Sequence, residues 1–170
     1  MRLFVGIFPS PAALADLSTV VGQLPLTRRV IPPERWHITV AFLGEVSDDD
    51  ETAARRALDE VSVPVGEVCL RGGGRFGSVL WTGISGDVAG LSRLNRTLRR
   101  ELRAHRLHPD DKRFRPHLTI ARAGDELSTV DMELLKAYEG PSWPVTELVL
   151  VRSELGPHPG YHRLGAWPVP

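Results

Sequence analysis

The chain is 170 residues long and 42% hydrophobic, enough for one core or for two small lobes that share one. Its 21 Lys and Arg balance its 21 Asp and Glu, which excludes the overall positive field that binds nucleic acid nonspecifically. Cys69 is the only cysteine, so no internal disulfide forms, and its alternating apolar surroundings predict a small core residue.

Residues 2–8 read as a strand, and the opening apolar run is too short for a signal peptide or a membrane span, so the protein is expected to be cytoplasmic. Ser10-Pro11 is an N-cap followed by proline at the first helical position, opening a helix to about Leu24. A loop to Arg35, stiffened by Pro32-Pro33, leads into HITVAFLG at 37–44, a β-forming run stopped by Gly44. Ser47 caps a helix to about Val61, with Asp48, Asp49 and Asp50 in the first turn, where negative charge is favoured. Pro64 to Leu70 and Val79 to Ile84 read as strands around a glycine-rich turn, RGGGRFG. Asp87 to Arg106 is a long helix with Val88, Leu91, Leu94, Leu98 and Leu102 at helical spacing, and its arginines lie mostly off that stripe on a solvated face. A basic loop, DDKRFRP, precedes a second run, HLTIARAG at 117–124; a short helix at 127–138 and strands at 144–152 and 161–167 complete the chain. Nothing marks a domain boundary, so residues 1–170 read as one α+β domain with two similar halves.

The halves carry the same device. His37-Ile38-Thr39-Val40 recurs as His117-Leu118-Thr119-Ile120; alanine follows each, at Ala41 and Ala121, and each run ends in glycine, at Gly44 and Gly124. Alternate residues of a strand leave the same face about 7 Å apart, so each imidazole projects with its hydroxyl, opposite the apolar pair. A lone histidine at a strand start is usually a structural or surface residue; two matched copies suggest a pseudo-two-fold arrangement in which both pairs face one cleft.

Such a constellation suits phosphoryl chemistry without a metal. One neutral histidine deprotonates an attacking hydroxyl or water and the other, protonated, serves the leaving oxygen, because the ordinary histidine pKa lies near 6.5. The threonine hydroxyls donate to the non-bridging phosphate oxygens. Neither motif is accompanied by further carboxylate or imidazole ligands, so no metal and no cofactor are expected. His105, His108, His158 and His162 read as solvated, with a place at the border of the cleft as the alternative for His162, next to Tyr161.

With both motifs in view, the chain resembles the 2H phosphoesterase superfamily, and within it the bacterial and archaeal RNA 2′,3′-cyclic phosphodiesterase family, also called 2′-5′ RNA ligase-like or LigT-like. RLFVGIFP, WHITVAFLGEV, VLWTGI, FRPHLTIAR and the closing GAWPVP carry the likeness over most of the chain. It implies two similar lobes related by a pseudo-two-fold axis, with antiparallel sheets lining a central cleft and helices packed outside. It implies His37 as proton donor to the departing ribose 3′ oxygen and His117 as proton acceptor from water, leaving a terminal 2′-phosphate. Thr39, Thr119 and Arg122 are the implied phosphate-binding residues. The halves look alike, so the residues by themselves do not distinguish acid from base.

Strand alternation poses two questions. Arg122 is five residues from His117 and of opposite parity, so it reaches phosphate only if the strand has ended or bulged. Phe42 has the same parity problem and is expected in the core, while Tyr161 is a candidate aromatic wall for a nucleobase. GGGRFGSVLW is shorter and richer in glycine than the loop relatives usually carry, which leaves substrate length and base preference open. The expected partners are RNA ends or nucleotides bearing a 2′,3′-cyclic phosphate, bound by a monomer away from membranes. Small cyclic nucleotides, 2′-5′ end joining by the same groups and a noncatalytic RNA-end binder are the competing readings.

Overall fold

The computed structural model describes residues 1–27, 29–122 and 126–170. The first strand, β1 (Arg2–Ile7), leads to α1 (Pro11–Gly22), where the Ser10 hydroxyl accepts from the Ala13 N–H and Pro11 opens the helix. A single 3-10 turn, Pro33–Arg35, precedes β2 (Ile38–Glu45), and a reciprocal capping box between Ser47 and Asp50 starts α2 (Asp48–Asp59). A long hairpin, β3 (Glu67–Phe76) and β4 (Val79–Gly86), is followed by α3 (Val88–Ala104) under an Asp87 cap. Then come β5 (His117–Ala121), α4 (Thr129–Lys136), a two-residue β6 (Trp143–Pro144), β7 (Glu147–Glu154) and β8 (Gly160–Pro168).

The strands form one antiparallel sheet in the order β6-β3-β4-β5-β2-β1-β7-β8. The order is symmetric about its middle: β5 and β2 are central, each backed by a long antiparallel neighbour, β4 or β1. The expected pair of sheets is therefore one continuous sheet whose halves repeat. β2 and β5 pair only at Ile38 and Leu118 and then diverge. The segment before the 3-10 turn fills the gap beside β5, where Val30 bridges Ala121 and the Ile31 N–H donates to the Ile120 carbonyl.

Alternation along the strands divides the sheet into two faces. Leu3, Val5, Ile7, Ile38, Leu118 and Leu148 point into the main core, together with the buried faces of the four helices. Phe4, Val149 and Val151 form a small apolar cluster on the other face. Burying the side chains of the main core is the dominant favourable term, at about 1.5–3 kcal/mol for each large aliphatic. The α3 stripe of Leu91, Leu94, Leu98 and Leu102 is wholly buried, as its spacing predicts, but it also contains a buried amide, Asn95.

The glycine-rich stretch is not a turn. β3 runs through it to Phe76 and the chain reverses at Gly77 and Ser78. The strand accommodates its extra residue as a bulge at Gly72, which sits at φ 67° between the Arg71–Gly83 and Gly73–Thr82 pairs. Cys69 is half-buried on β3 rather than a core residue. β6 is too short for sequence alternation to reveal. Gly124 lies outside the described residues.

Candidate active site

The two His-x-Thr runs sit beside each other where the central strands diverge. His37 immediately precedes β2 and His117 opens β5. In each, the ring Nδ1–H donates to the carbonyl two residues back, Arg35 at 2.8 Å and Arg115 at 2.7 Å. A carbonyl only accepts, so Nδ1 carries the proton in the neutral ring and Nε2 is the nitrogen left for chemistry.

Each strand then bulges at the same place. The β1–β2 pairing passes from Gly6–Thr39 to Val5–Ala41 and skips Val40. The β4–β5 pairing passes from Trp81–Thr119 to Leu80–Ala121 and skips Ile120. Both skipped residues lie three positions after the histidine. A bulge adds one residue and reverses the facing of the residues beyond it. The fifth residue after each histidine, Phe42 or Arg122, is therefore turned to the same side as the threonine. This answers both parity questions. Arg122 reaches the cleft because of the bulge at Ile120, and Phe42 leaves the core face, to lie under the Arg2 guanidinium, 5.2 Å from its ring centre.

The resulting cleft encloses about 700 Å³ and is lined by His37, Thr39, His117, Thr119 and Arg122 among others. Tyr161 also lines it, with the Arg35 guanidinium 4.7 Å above its ring. Arg2, Arg29, Arg35 and Arg122 border the cleft, and among the described residues no carboxylate pairs with any of them. The lining carboxylate, Glu154, is itself held by His162 at 3.2 Å and Arg152 at 3.8 Å. This local positive excess sits in a chain of zero net charge, which is why composition alone does not reveal it. Among the described residues no three His, Cys, Asp or Glu side chains converge in a ligand cluster.

The halves are not equivalent at the histidines. His37 is stacked on Phe4 at 4.4 Å and flanked by Phe8 and Tyr161. Its Nε2 is 3.0 Å from the Thr39 hydroxyl, which donates to it in the neutral ring. His117 has one aromatic neighbour, Phe76 at 6.0 Å, and among the described residues it makes no such bond to Thr119. Burial among the rings lowers the His37 pKa from 6.5 to about 4, opposed by its backbone hydrogen bond to Arg35 and assisted by the charges of Arg35, His117 and Arg122.

The cleft also uses residues that the motif reading passes over. Arg35 and Arg115 supply the carbonyls that orient both rings, and Phe4 supplies the stack. The signal for the arginines is in the sequence: the repeat extends upstream as Arg-x-His-x-Thr, in Arg35-Trp36-His37 and Arg115-Pro116-His117.

Residues 12–157 match the model of the 2′-5′ RNA ligase superfamily. The chain belongs to that superfamily. Among similar proteins, the RNA 2′,3′-cyclic phosphodiesterase of Thermus thermophilus is 34% identical over 173 residues, covering 92% of this chain and 84% of that protein. The RNA 2′,3′-cyclic phosphodiesterase of Aeropyrum pernix is 29% identical over 114 residues, a match spanning 64% of this chain and 65% of the relative, just under two thirds of its length. Escherichia coli LigT, solved in complex with phosphate, superposes with a TM-score of 0.80 at 25% identity, covering 99% of this chain and 96% of that one. The α+β fold with a single curled sheet is thus the fold of this superfamily.

Proposed function

We propose that the protein hydrolyses RNA 2′,3′-cyclic phosphate ends to 2′-phosphomonoesters by proton transfer between two histidines, without a metal. The observation that carries this reading is the duplicated imidazole anchor: two rings tied at Nδ1 to equivalent carbonyls, with both Nε2 atoms left for one cleft. The RNA 2′,3′-cyclic phosphodiesterases among its relatives and the phosphate complex of LigT support the substrate class.

A cyclic phosphodiester binds between the threonines, with Arg122 beside it. His117 Nε2 takes the proton of a water that attacks phosphorus, and His37 Nε2–H protonates the ribose O3′ as the P–O3′ bond breaks. The ring strain of the five-membered diester is released and the phosphate remains on O2′. The hydrogen bond between His37 and Thr39 couples these steps. While His37 is neutral, the Thr39 proton is committed to Nε2. Protonation of His37 makes Nε2 a donor, which frees the Thr39 hydroxyl to donate to a non-bridging phosphate oxygen. A bound anion thus favours protonated His37 both directly and through Thr39.

One observation favours the exchanged roles. The lowered pKa keeps His37 neutral in the free protein, the form a base requires. A substrate with sulfur in place of the 3′ bridging oxygen distinguishes the two, because a thiolate departs without protonation. It restores turnover to the variant that has lost the acid, His37→Ala in the leading reading, and leaves the variant that has lost the base inactive.

The same groups serve small cyclic nucleotides, and with a 5′-hydroxyl in place of water as the nucleophile, P–O3′ again breaking, they join ends through a 2′-5′ bond. Residues 1–170 act as one catalytic domain, monomeric and cytoplasmic; among the described residues no helix is long and apolar enough to cross a membrane. The decisive test is incubation of the purified protein with an RNA ending in a 2′,3′-cyclic phosphate. The expected product carries a 2′-phosphate, resolved chromatographically from the 3′ isomer; an unchanged substrate sinks the proposal.

A further inference from the structure

The glycine-rich hairpin has no role in the chemistry above, yet its tip stands beside the second histidine. Phe76 at the end of β3 is 49% exposed, and it adjoins the cleft. Its ring stacks on Trp81 of β4 at 5.0 Å and meets His117 edge-on at 6.0 Å. The glycines explain how this pair is held. A Cβ on Gly74 would come 2.7 Å from Trp81 Cζ2, so only a glycine there lets the indole lie against the opposite strand and support Phe76.

Two shallow grooves leave His117 past this pair. One runs between Phe76, Trp81, Arg113 and Arg115. The other passes Phe76, Phe114, Lys112 and Arg99. Lys112 is engaged by Asp110 and Arg99 donates to the Lys112 carbonyl. Arg113 and Arg115 are exposed and, among the described residues, pair with no carboxylate. An exposed aromatic step with free guanidinium groups beside it, continuous with a phosphate site, is the surface on which single strands lie: bases stack on rings and the backbone follows the cations. A terminal ribose also directs its 5′ oxygen away from the ring that holds the cyclic phosphate, so a strand can leave toward these grooves without obstructing the attack.

We propose that the Phe76–Trp81 step and the Arg113–Arg115 edge form a track for single-stranded RNA, in which a base upstream of the cyclic end stacks on Phe76. This deepens the phosphodiesterase reading and rests on it: the track makes an RNA strand a better substrate than a mononucleotide. The surface is small and local, which reconciles an RNA substrate with a chain of zero net charge.

The test compares a nucleoside 2′,3′-cyclic phosphate with a trinucleotide ending in the same group, using the wild type, Phe76→Ala, Phe76→Tyr and Arg113→Ala. Loss of one stacked base predicts a fall of about tenfold in kcat/KM on the trinucleotide for Phe76→Ala, carried by KM. The mononucleotide rate should hold within about threefold, and Phe76→Tyr should restore the trinucleotide. Arg113→Ala should flatten the dependence of log kcat/KM on log salt by about 0.7, the contribution of one phosphate contact on a single strand. A wild type with no preference for the trinucleotide, or equal losses of Phe76→Ala on both substrates, overturns the track. A wild type that turns over neither substrate overturns the phosphodiesterase reading instead. The track is then read by binding of a labelled trinucleotide 2′-phosphate, and unchanged affinity in Phe76→Ala and Arg113→Ala overturns it.

Discussion

The side-chain amide of Asn95, inside the apolar stripe of α3, donates to the carbonyl of Val40 at 2.7 Å. Val40 is the residue that the β1–β2 pairing skips, so its carbonyl has lost its ladder partner and is buried. A buried carbonyl without a partner costs about 1–3 kcal/mol. Asn95 thus stabilises the bulge that turns Phe42 toward the cleft, where the Arg2 guanidinium lies over its ring. A second pair works the same way on the other half: the buried Thr82 hydroxyl donates to the Gly72 carbonyl at 2.7 Å, beside the β3 bulge.

Asn95→Leu preserves volume and apolar packing but leaves the Val40 carbonyl unsatisfied. It should destabilise the protein by about 1–3 kcal/mol in a denaturant titration, and kcat/KM should fall at a temperature where the variant is still folded. Thr82→Val should lose comparable stability, with a smaller effect on turnover, because β4 and β5 separate the Gly72 bulge on β3 from the strand that follows His37. Equal activity of Asn95→Leu and the wild type would mean that the bulge holds its geometry without the amide.

These hydrogen bonds also show what could and could not be read in advance. The two His-x-Thr runs were legible because strand alternation is a local rule, and Ser10, Ser47 and Asp87 mark helix starts by local chemistry. The bulges were not legible. Nothing in VAF or IAR distinguishes a bulged strand from a regular one, since the extra residue is defined by its partner strand. The facing of Phe42 therefore reads wrongly from parity. The Gly-rich stretch misleads for a related reason: Gly74 makes room for the Trp81 indole across the hairpin and Gly73 for Leu135 of α4, contacts with no signature in their own neighbourhood. Asn95 stands out in the helix stripe only after the unsatisfied carbonyl is known.

His37→Ala and His117→Ala should each lower kcat by about 10²–10⁴-fold, the usual contribution of a general acid or base. Far-ultraviolet circular dichroism and the thermal midpoint should show both variants folded, because neither ring belongs to the main core. Thr39→Ala and Thr119→Ala should lose less. Thr39→Ala should lose more than Thr119→Ala, because it also removes the hydroxyl that bonds His37. A histidine variant that keeps more than a tenth of the activity is not a proton-transfer catalyst.

Gly6 faces Thr39 across the β1–β2 pair, and a Cβ there would lie 3.1 Å from the Ile38 carbonyl, 3.2 Å from the Phe4 ring and 3.4 Å from the His37 ring. Gly6→Ala should be tolerated with a modest loss of turnover as the rings shift by a few tenths of an ångström. Gly6→Val should displace the His37 ring and abolish most activity while the secondary structure remains. Retention of full activity by Gly6→Val would show that the stacked arrangement of Phe4 and His37 is not required.

Chelation should not matter. The proton-transfer groups and phosphate donors of the proposed reaction are all side chains of the cleft, and exhaustive EDTA treatment followed by assay in metal-free buffer should leave the rate unchanged. Activity that disappears and returns with a divalent ion would replace the two-histidine mechanism with a metal-assisted one.

The pH dependence carries two separate signatures of His37. The first is in stability. Its folded pKa of about 4 lies below the unfolded 6.5, so the native state binds fewer protons and stability is complete above pH 6.5. As pH falls through 6.5 toward 4 the unfolded chain takes up a proton that the native state refuses, a destabilisation bounded at about 3 kcal/mol at 1.36 kcal/mol per unit. His37→Phe should remove that component of the acid sensitivity. The second is in rate. One histidine neutral and the other charged gives a bell, with limbs that belong to the pair. For kcat/KM, which reports the free protein, the acid limb should fall near pH 4, below which both rings of the pair are protonated and no base remains. In the complex the bound anion favours the charged rings, so both limbs of kcat should lie at higher pH than those of kcat/KM. A nucleoside 2′,3′-cyclic phosphate assayed across the full range measures both. A rate that rises without a maximum to pH 10 would mean that no histidine acts as the acid, and the matched pair would lose its chemical meaning.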